Sequence, residues 1–282
     1  MQVSNITIIM VSFHSEKMIV KAINKLPKKM PIIITDNAND KKLKNKIKKK
    51  FSNVKIIIPH KNLGNGDGIN FALKKVKTKY ALYLDVDTLV EKRTIEKIYS
   101  VAKTTDDWFI IAPNIRGYKY RQNDYKSKKL INNCYEMNFV EGCALLFDVE
   151  TIKKIGYYDK KIFLYYEEND LFLRGLKKNK KILLVKDAFI SHIGNSSVDK
   201  IYNEAIEINR NWHYMWSKFY FYKKNYSVAL AYKMTLLHFI KSVFKCLIFY
   251  FTNKSKFLIY RSRVSGLFNS YINNPSWFRP RI

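Results

Sequence analysis

Two aspartates, Asp85 and Asp87, close the apolar run Ala81-Leu-Tyr-Leu84 with a single valine between them. Carboxylates this close suit a hard divalent cation, which takes oxygen ligands and is commonly shared with a substrate's phosphates. Side chains alternate between the faces of a strand, so positions i and i+2 point the same way and converge. The competing reading is a strand-ending turn, which Asp also favours. The background sharpens the choice: 23 Asp and Glu stand against 52 Lys and Arg, for a formal net charge of +29, so paired acids are scarce in this chain.

A second acidic group lies in Phe163-Leu-Tyr-Tyr-Glu-Glu-Asn-Asp170, where Glu167, Glu168 and Asp170 stand at the start of a helical pattern. A helix N-terminus stabilises carboxylates as anions. A carboxylate within reach of a hydroxyl can act as its general base. N-capping accounts for one or two of these acids but not readily for three. A third element, Asn62-Leu-Gly-Asn-Gly-Asp-Gly-Ile-Asn70, alternates glycines between asparagines. Its glycines permit close backbone approach and free N–H groups for a phosphate or ribose, and the helix start that follows favours anions. The spacing is G-x-G-x-G and not the dinucleotide fingerprint G-x-G-x-x-G.

The elements that carry these groups alternate. Strand-like runs at Ile6–Phe13, Pro31–Thr35, Val54–Pro59, Tyr80–Leu84 and Trp108–Pro113 are separated by helix-like runs at Glu16–Lys25, up to Phe51, Gly68–Val76 and Lys92–Lys103. This alternation predicts βαβ units and a parallel sheet covered on both faces. Ligands of such sheets sit at the carboxyl ends of the strands. Ser12 and His14, then Asp36 and Asn37, then Asp85 and Asp87 all fall at strand ends and share one expected crevice. Further on, Asn138–Phe147 reads as a strand containing Gly142, Glu168–Lys178 as a helix and Lys181–Val185 as a strand.

Length and 47% hydrophobic content suit one large domain or two and exclude disorder. Cys134, Cys143 and Cys246 lack metal-ligand spacing and fit buried thiols in a reducing compartment. The N-terminus reads as a first strand and not a signal peptide, which predicts a cytoplasmic protein. The basic run Lys41–Lys50 reads as a solvated helix face. From Tyr202 onward the pattern is helical, aromatic and basic. Val228–Phe251 falls short of a spanning segment because Lys233, His238, Lys241 and Lys245 interrupt it. Thr235, His238, Lys241, Ser242 and Lys245 share one arc, and Val228, Tyr232, Leu236, Phe239, Val243 and Leu247 the other. Such a helix lies on a membrane surface or packs on a domain.

With these pieces in order, the chain resembles glycosyltransferase family 2, with the rhamnosyltransferase-like bacterial surface-polysaccharide transferases the nearest type. The likeness runs over about residues 5 to 215. Val11-Ser-Phe-His14 is similar to the family's first-strand motif, with His14 where Asn is usual. Thr35-Asp-Asn-Ala-Asn-Asp40 resembles V-D-N-A-S-x-D, and Asn62 to Asn70 resembles N-x-G-x-x-x-G-x-N, with Asn65 in place of an aromatic. Leu84-Asp-Val-Asp87 is similar to the D-x-D motif, Val140-Glu-Gly-Cys-Ala-Leu-Leu-Phe147 to the G-A-x-L-L strand, and Tyr166-Glu-Glu-Asn-Asp-Leu171 to F-E-D-x-D-L. Ser191-His-Ile-Gly-Asn-Ser196 resembles H-x-x-G-x-S, and Arg210-Asn-Trp an Arg-Asn segment.

The resemblance implies an α/β GT-A fold: a mostly parallel, Rossmann-like sheet flanked by helices, with an amphipathic helical C-terminal extension. It implies a catalytic domain over 1–215, with a nucleotide half to about 113 and an acceptor half after it, followed by the basic helices of 216–282. The implied reaction is metal-dependent hexosyl or deoxyhexosyl transfer with inversion, from a UDP- or dTDP-sugar to a glycan or polyprenyl-linked acceptor. The implied nucleotide-sugar contacts are Ser12, His14, Asp36, Asn37, Asn62, Gly64, Gly68, Asn70 and Asp85. Asp87, with Asp85 and His192, would hold Mg²⁺ or Mn²⁺. Glu168 would be the base, with Glu167 as the fallback and Asp170 beside them, and Gly142, Cys143 and Arg210 would lie at the acceptor site. Attachment to the inner membrane face and pairing of two copies through the C-terminal helices complete the expectation. A nucleic-acid-binding protein would explain the charge and the aromatics but not acids in the crevice, so nucleic acid is not an expected partner. A non-catalytic, membrane-associated GT-A-like scaffold is the other alternative.

Overall fold

The computed structural model describes residues 5–194 and 200–280. In chain order the elements are β1 Ile6–Ser12, α1 Glu16–Lys25, β2 Ile32–Asp36, α2 Lys41–Lys50, β3 Val54–Ile57, α3 Asn65–Leu73, β4 Tyr80–Leu84 and β5 Thr88–Val90. Next come α4 Lys92–Thr104, β6 Trp108–Ile115, β7 Tyr125–Ile131, β8 Cys134–Met137, β9 Ala144–Asp148, α5 Val149–Ile155, α6 Glu167–Lys177 and β10 Lys181–His192. Three long helices finish the chain: α7 Asn203–Asn225, α8 Val228–Thr252 and α9 Lys254–Tyr271. The chain divides into two compact units. The first is Met1–Leu63, Gly68–Tyr158 and Leu171–Val198; the second is Gly64–Asp67, Asp159–Asp170 and Asp199–Ile282. The expected boundary at 215/216 falls inside α7.

The first unit holds a 10-stranded sheet in the order β3-β2-β1-β4-β9-β6-β10-β8-β7, with β5 paired to β10. β1 pairs parallel with β2 and β4, β2 with β3, and β10 with β6. Only β5, β8 and β9 run against the other strands, so the sheet is mostly parallel as expected. Apolar residues at adjacent positions supply both faces. Ile6, Ile8 and Met10 pack with Leu82 and Leu84 on one side, while Ile9 packs with Ala81 and Tyr83 on the other. Burying each such side chain contributes roughly 1.5–3 kcal/mol. Helix starts are marked by acids: Asp40 accepts from Leu43 N at 2.9 Å to open α2, and Asp148 accepts from Thr151 N at 2.8 Å to open α5.

Three sequence expectations need correction. The strand expected over Asn138–Phe147 begins only at Ala144, because Val140–Cys143 is a loop whose backbone serves the neighbouring turn. The strand from Lys181 continues past Val185 to His192, through an irregularity between Val185 and Phe189. β5, β7, β8 and α5 were not anticipated.

The second unit is built on α7, α8 and α9, with a small apolar centre of Met215, Phe219, Ala231 and Leu267. Gly266 lets α9 close on α7, since a Cβ there would lie 2.3 Å from the Trp212 carbonyl oxygen. α8 is turned inside out. Its buried residues are Ala231, Thr235 and Ser242, while Val228, Tyr232, Leu236, Phe244 and Leu247 are exposed and Phe251 is 87% exposed. Thr235 and Ser242 of the polar arc therefore face inward, and much of the apolar arc faces out. By length and composition α8 is sufficient to cross a membrane, and only 11% of its most apolar stretch is buried.

Candidate active site

β4 stops at Leu84, so Asp85 and Asp87 lie in a turn and not on a strand. The turn is closed by Thr88 N–H donating to Asp85 O at 3.0 Å and anchored by Asp85 N–H donating to Cys143 O at 2.9 Å. Strand alternation is therefore not what brings the two carboxylates together. The turn does so, and β5 then carries the chain against β10, where Thr88 is the partner of His192. That pairing sets His192 Nε2 3.2 Å from Asp87 Oδ1 and 3.8 Å from Asp85 Oδ2. One ligand atom from each of the three residues lies within 4.8 Å of the others.

Two carboxylates and an imidazole form a donor set for a divalent cation. The electrostatics point the same way. Burial, opposed by the Tyr83 hydroxyl that donates to it and reinforced by the Asp87 charge, pushes Asp85 up to about 6. The hydrogen bond to Asp87, against partial burial, raises His192 above its ordinary value. The charges of Asp87 and Asp85 both favour protonated His192, and a metal ion bound there would hold the two carboxylates ionised.

At the neighbouring strand ends, Ser12 Oγ donates to Asp36 Oδ1 at 2.9 Å, and Asp36 Oδ2 accepts from Asp40 N at 2.7 Å. Asp36 is 1% exposed. Asn37 Oδ1 accepts from Leu63 N at 3.2 Å, tying the end of β2 to the start of the glycine segment. His14 has φ 49° and packs edge-on against Phe13. Gly68 lies against Val11, where a Cβ would be 3.0 Å from Cγ1, and its carbonyl accepts from Thr35 Oγ1 at 2.8 Å. Asn70 exchanges hydrogen bonds with the Tyr158 backbone at 2.9 and 3.0 Å, so its side chain positions a loop. Asn62 is half-buried. Gly142 is half-buried, and Cys143 is a buried thiol whose pKa is driven up by burial and by Asp85. Cys134 is also buried and Cys246 half-buried, all three free.

In the second unit, Glu167 is 2% exposed and accepts from Asn65 Nδ2 at 3.2 Å. Glu168 is half-buried in the first turn of α6. Asp170 is fully buried and engaged, with Lys224 Nζ at 2.6 Å and Asn225 Nδ2 at 3.1 Å. Gly64 has φ +79°, and a Cβ there would lie 2.1 Å from Phe163 O, which accepts from Asn65 N at 3.0 Å. Arg210 is near enough to Tyr165 for its charge to counter part of the burial that raises that phenol. Asn195 and Ser196, the end of the His192 motif, lie outside the described residues.

Sequence reading missed Tyr83 and Glu141. Tyr83 stands two residues before Asp85, on the face of β4 that reaches it. Glu141 precedes Gly142, binds the Tyr118 hydroxyl, and its charge reaches both His192 and Cys143.

The sequence model described as "Glycosyl transferase family 2" matches residues 7–163, more than half of the chain. The chain belongs to glycosyltransferase family 2. The protein is a nucleotide-sugar-dependent glycosyltransferase with a GT-A fold. It is 22% identical over 227 residues to the low-salt glycan biosynthesis hexosyltransferase Agl10 of Haloferax volcanii, covering 73% of this chain and 69% of that protein. Among solved structures, the Pyrobaculum calidifontis mannosyltransferase PcManGT with GDP-Man and Mn²⁺ matches at TM-score 0.57 and 10% identity, over 95% of this chain and 87% of that one. S. aureus TarS with UDP-GlcNAc matches at TM-score 0.53 and 14% identity, over 98% and 93%. At these identities the two structures speak for the fold alone.

Proposed function

We propose that this transferase moves a hexosyl or deoxyhexosyl group with inversion from a UDP- or dTDP-sugar to a hydroxyl of a glycan or polyprenyl-linked acceptor, in the synthesis of a surface polysaccharide. The observation that carries the reading is the Asp85, Asp87 and His192 group at the end of β4. Mg²⁺ or Mn²⁺ would be held there by Asp87 and His192, with Asp85 on the ribose side. A cation so held offsets charge developing on the leaving diphosphate. Asp36, oriented by Ser12 and the Asp40 amide, would accept from the nucleotide base. Gly68 leaves room for backbone to approach the donor.

Glu168 is the proposed general base. It would take the proton of the acceptor hydroxyl as that oxygen attacks the anomeric carbon from the face opposite the diphosphate. Glu167, buried and bonded to Asn65, and Asp170, held by Lys224, brace the first turn of α6 around it. Gly142, Cys143 and Arg210 would border the acceptor. Residues 1–215 are proposed as the catalytic portion and the later helices as its membrane attachment. The outward apolar residues of α8, with Lys233, Lys241 and Lys245 among them, favour docking on an anionic inner membrane face, where a polyprenyl-linked acceptor would be presented. The same face would serve to pair two copies.

The test is Glu168→Gln. Removing a general base costs about 10²–10⁴ in turnover, while UDP-sugar binding in the presence of Mn²⁺ should persist. Transfer that survives Glu168→Gln would remove Glu168 from the role and leave Glu167 as the candidate.

A further inference from the structure

A second set of cations lies in the helical unit and takes no part in the transfer chemistry above. Lys218 of α7 is only 7% exposed, and its Nζ stands 2.8 Å from Nε2 of His238 on α8. Arg263 of α9 is half-buried, with its guanidinium 5.6 Å from the Tyr260 ring and its Nε buried without a hydrogen-bond partner. The charge of Arg263 acts on both Lys218 and His238, and that of Lys241 on His238. Three helices thus each contribute one basic group to one location.

No counter-charge accompanies them. Among the described residues none of the three pairs with a carboxylate, and the sequence contains no Asp or Glu after Glu207. The contrast is on the same helix: Lys224, six residues beyond Lys218, is paired with both Asp159 and Asp170. Buried charges in proteins are ordinarily paired, because removing them from water is otherwise unfavourable. Burial and the Arg263 charge accordingly hold Lys218 below its ordinary value, and burial and the Lys218 charge do the same to His238. The Lys218 ammonium donates to Nε2 of the neutral His238 ring, so its remaining N–H bonds and the Arg263 guanidinium are placed as the donors of an anion site beside that ring.

We propose that Lys218, held by His238, and Arg263 bind a phosphate-class anion, supplied as a lipid phosphate headgroup or as free phosphate. Donors arriving from two helices, an ammonium and a guanidinium fork, match the several oxygens of a tetrahedral phosphate better than the two coplanar oxygens of a carboxylate. The guanidinium fork takes two such oxygens, and the ammonium acts as a point charge beside them. The proposal does not depend on the transferase reading, since no residue of the Asp85–Asp87–His192 group or of Glu167–Asp170 takes part.

The test follows the His238 ring signals by NMR in the full-length chain, labelled at histidine and free of divalent metal. Inorganic phosphate is titrated at constant ionic strength, and in a second arm phosphatidylcholine vesicles are added with and without phosphatidic acid. A saturable shift of His238 is expected in the wild type and in Asp87→Asn, with affinity weakened at least about tenfold in Lys218→Met and in Arg263→Gln. A response to inorganic phosphate identifies the free ion as a ligand; a response only to phosphatidic acid vesicles identifies the headgroup. Should Lys218→Met not fold, Arg263→Gln decides alone. The proposal is overturned if neither probe shifts His238, if both variants respond like the wild type, or if Asp87→Asn abolishes the response.

Discussion

Acid should loosen the second unit through one buried ring. His213 on α7 is 0% exposed, with Nε2 2.9 Å from Phe278 O and Nδ1 2.9 Å from Ser276 Oγ. The carbonyl can only accept, so Nε2–H donates to it, while the Ser276 hydroxyl, able to donate or accept, donates to Nδ1 when the ring is neutral. Burial drives its pKa from 6.5 to about 3, with the Phe278 bond opposing and the Arg279 charge assisting. The unfolded chain therefore binds this proton near pH 6.5 and the folded chain only near 3. The stability that the neutral ring contributes is fully present above 6.5 and lost as pH falls through that window. At pH 5 the deficit is the 1.5 units between 6.5 and 5 at about 1.36 kcal/mol per unit, on the order of 2 kcal/mol. Urea unfolding of wild type and His213→Gln at pH 7 and pH 5 measures it, because groups common to both proteins cancel in the difference. The wild type should lose about 2 kcal/mol more than the variant. Equal losses would refute the buried neutral ring. The effect reaches the acidic segment as well: Phe163 stacks on His213 at 4.4 Å, Arg279 lies 3.8 Å over Phe163, and Phe163 O holds the Asn65 amide.

Three further outcomes are expected. Asp87→Asn should remove the thermal stabilisation by Mn²⁺, which in the wild type amounts to about 2.7 kcal/mol at a hundredfold excess over Kd; an unchanged metal response would place the ion elsewhere. Gly64→Ala should cost clearly more stability in urea than Gly117→Ala. Both have φ +79°, about 1–3 kcal/mol of strain for a side chain, but only Gly64 also drives its Cβ into Phe163. Replacing Leu247 and Phe251 by Ser should weaken flotation with anionic vesicles by roughly 1.5–3 kcal/mol each while leaving the fold intact, since both side chains are exposed; unchanged flotation would exclude this face.

Strands β1 to β4 and β6 were legible because they are short, mostly buried apolar runs, a pattern that survives without tertiary information. β7 was not, because Tyr125–Ile131 alternates partly buried residues with three lysines on an edge and reads as loop. Asp85 and Asp87 do converge, joined by His192, but not by strand alternation: a turn and the pairing of Thr88 with His192 bring the three together. Asp170 looked like Glu168 in the sequence, and only the fold supplies Lys224 and Asn225, more than fifty residues later, as its partners. Helical periodicity likewise separated two arcs on α8 but carried no information on which one the neighbouring helices would cover.

The outward-facing apolar surface of α8 also has a consequence for biogenesis. The last strand of the sheet ends at His192 and α8 begins at Val228, so 35 residues lie between them. At ribosomal rates of about 5–20 residues per second, the complete sheet sequence precedes that of α8 by roughly 2 to 7 s. That interval exceeds the folding time of many domains. A nascent chain of this kind can finish its sheet in water before α8 is made, so the proposed docking of α8 on a bilayer would be made with the sheet already folded.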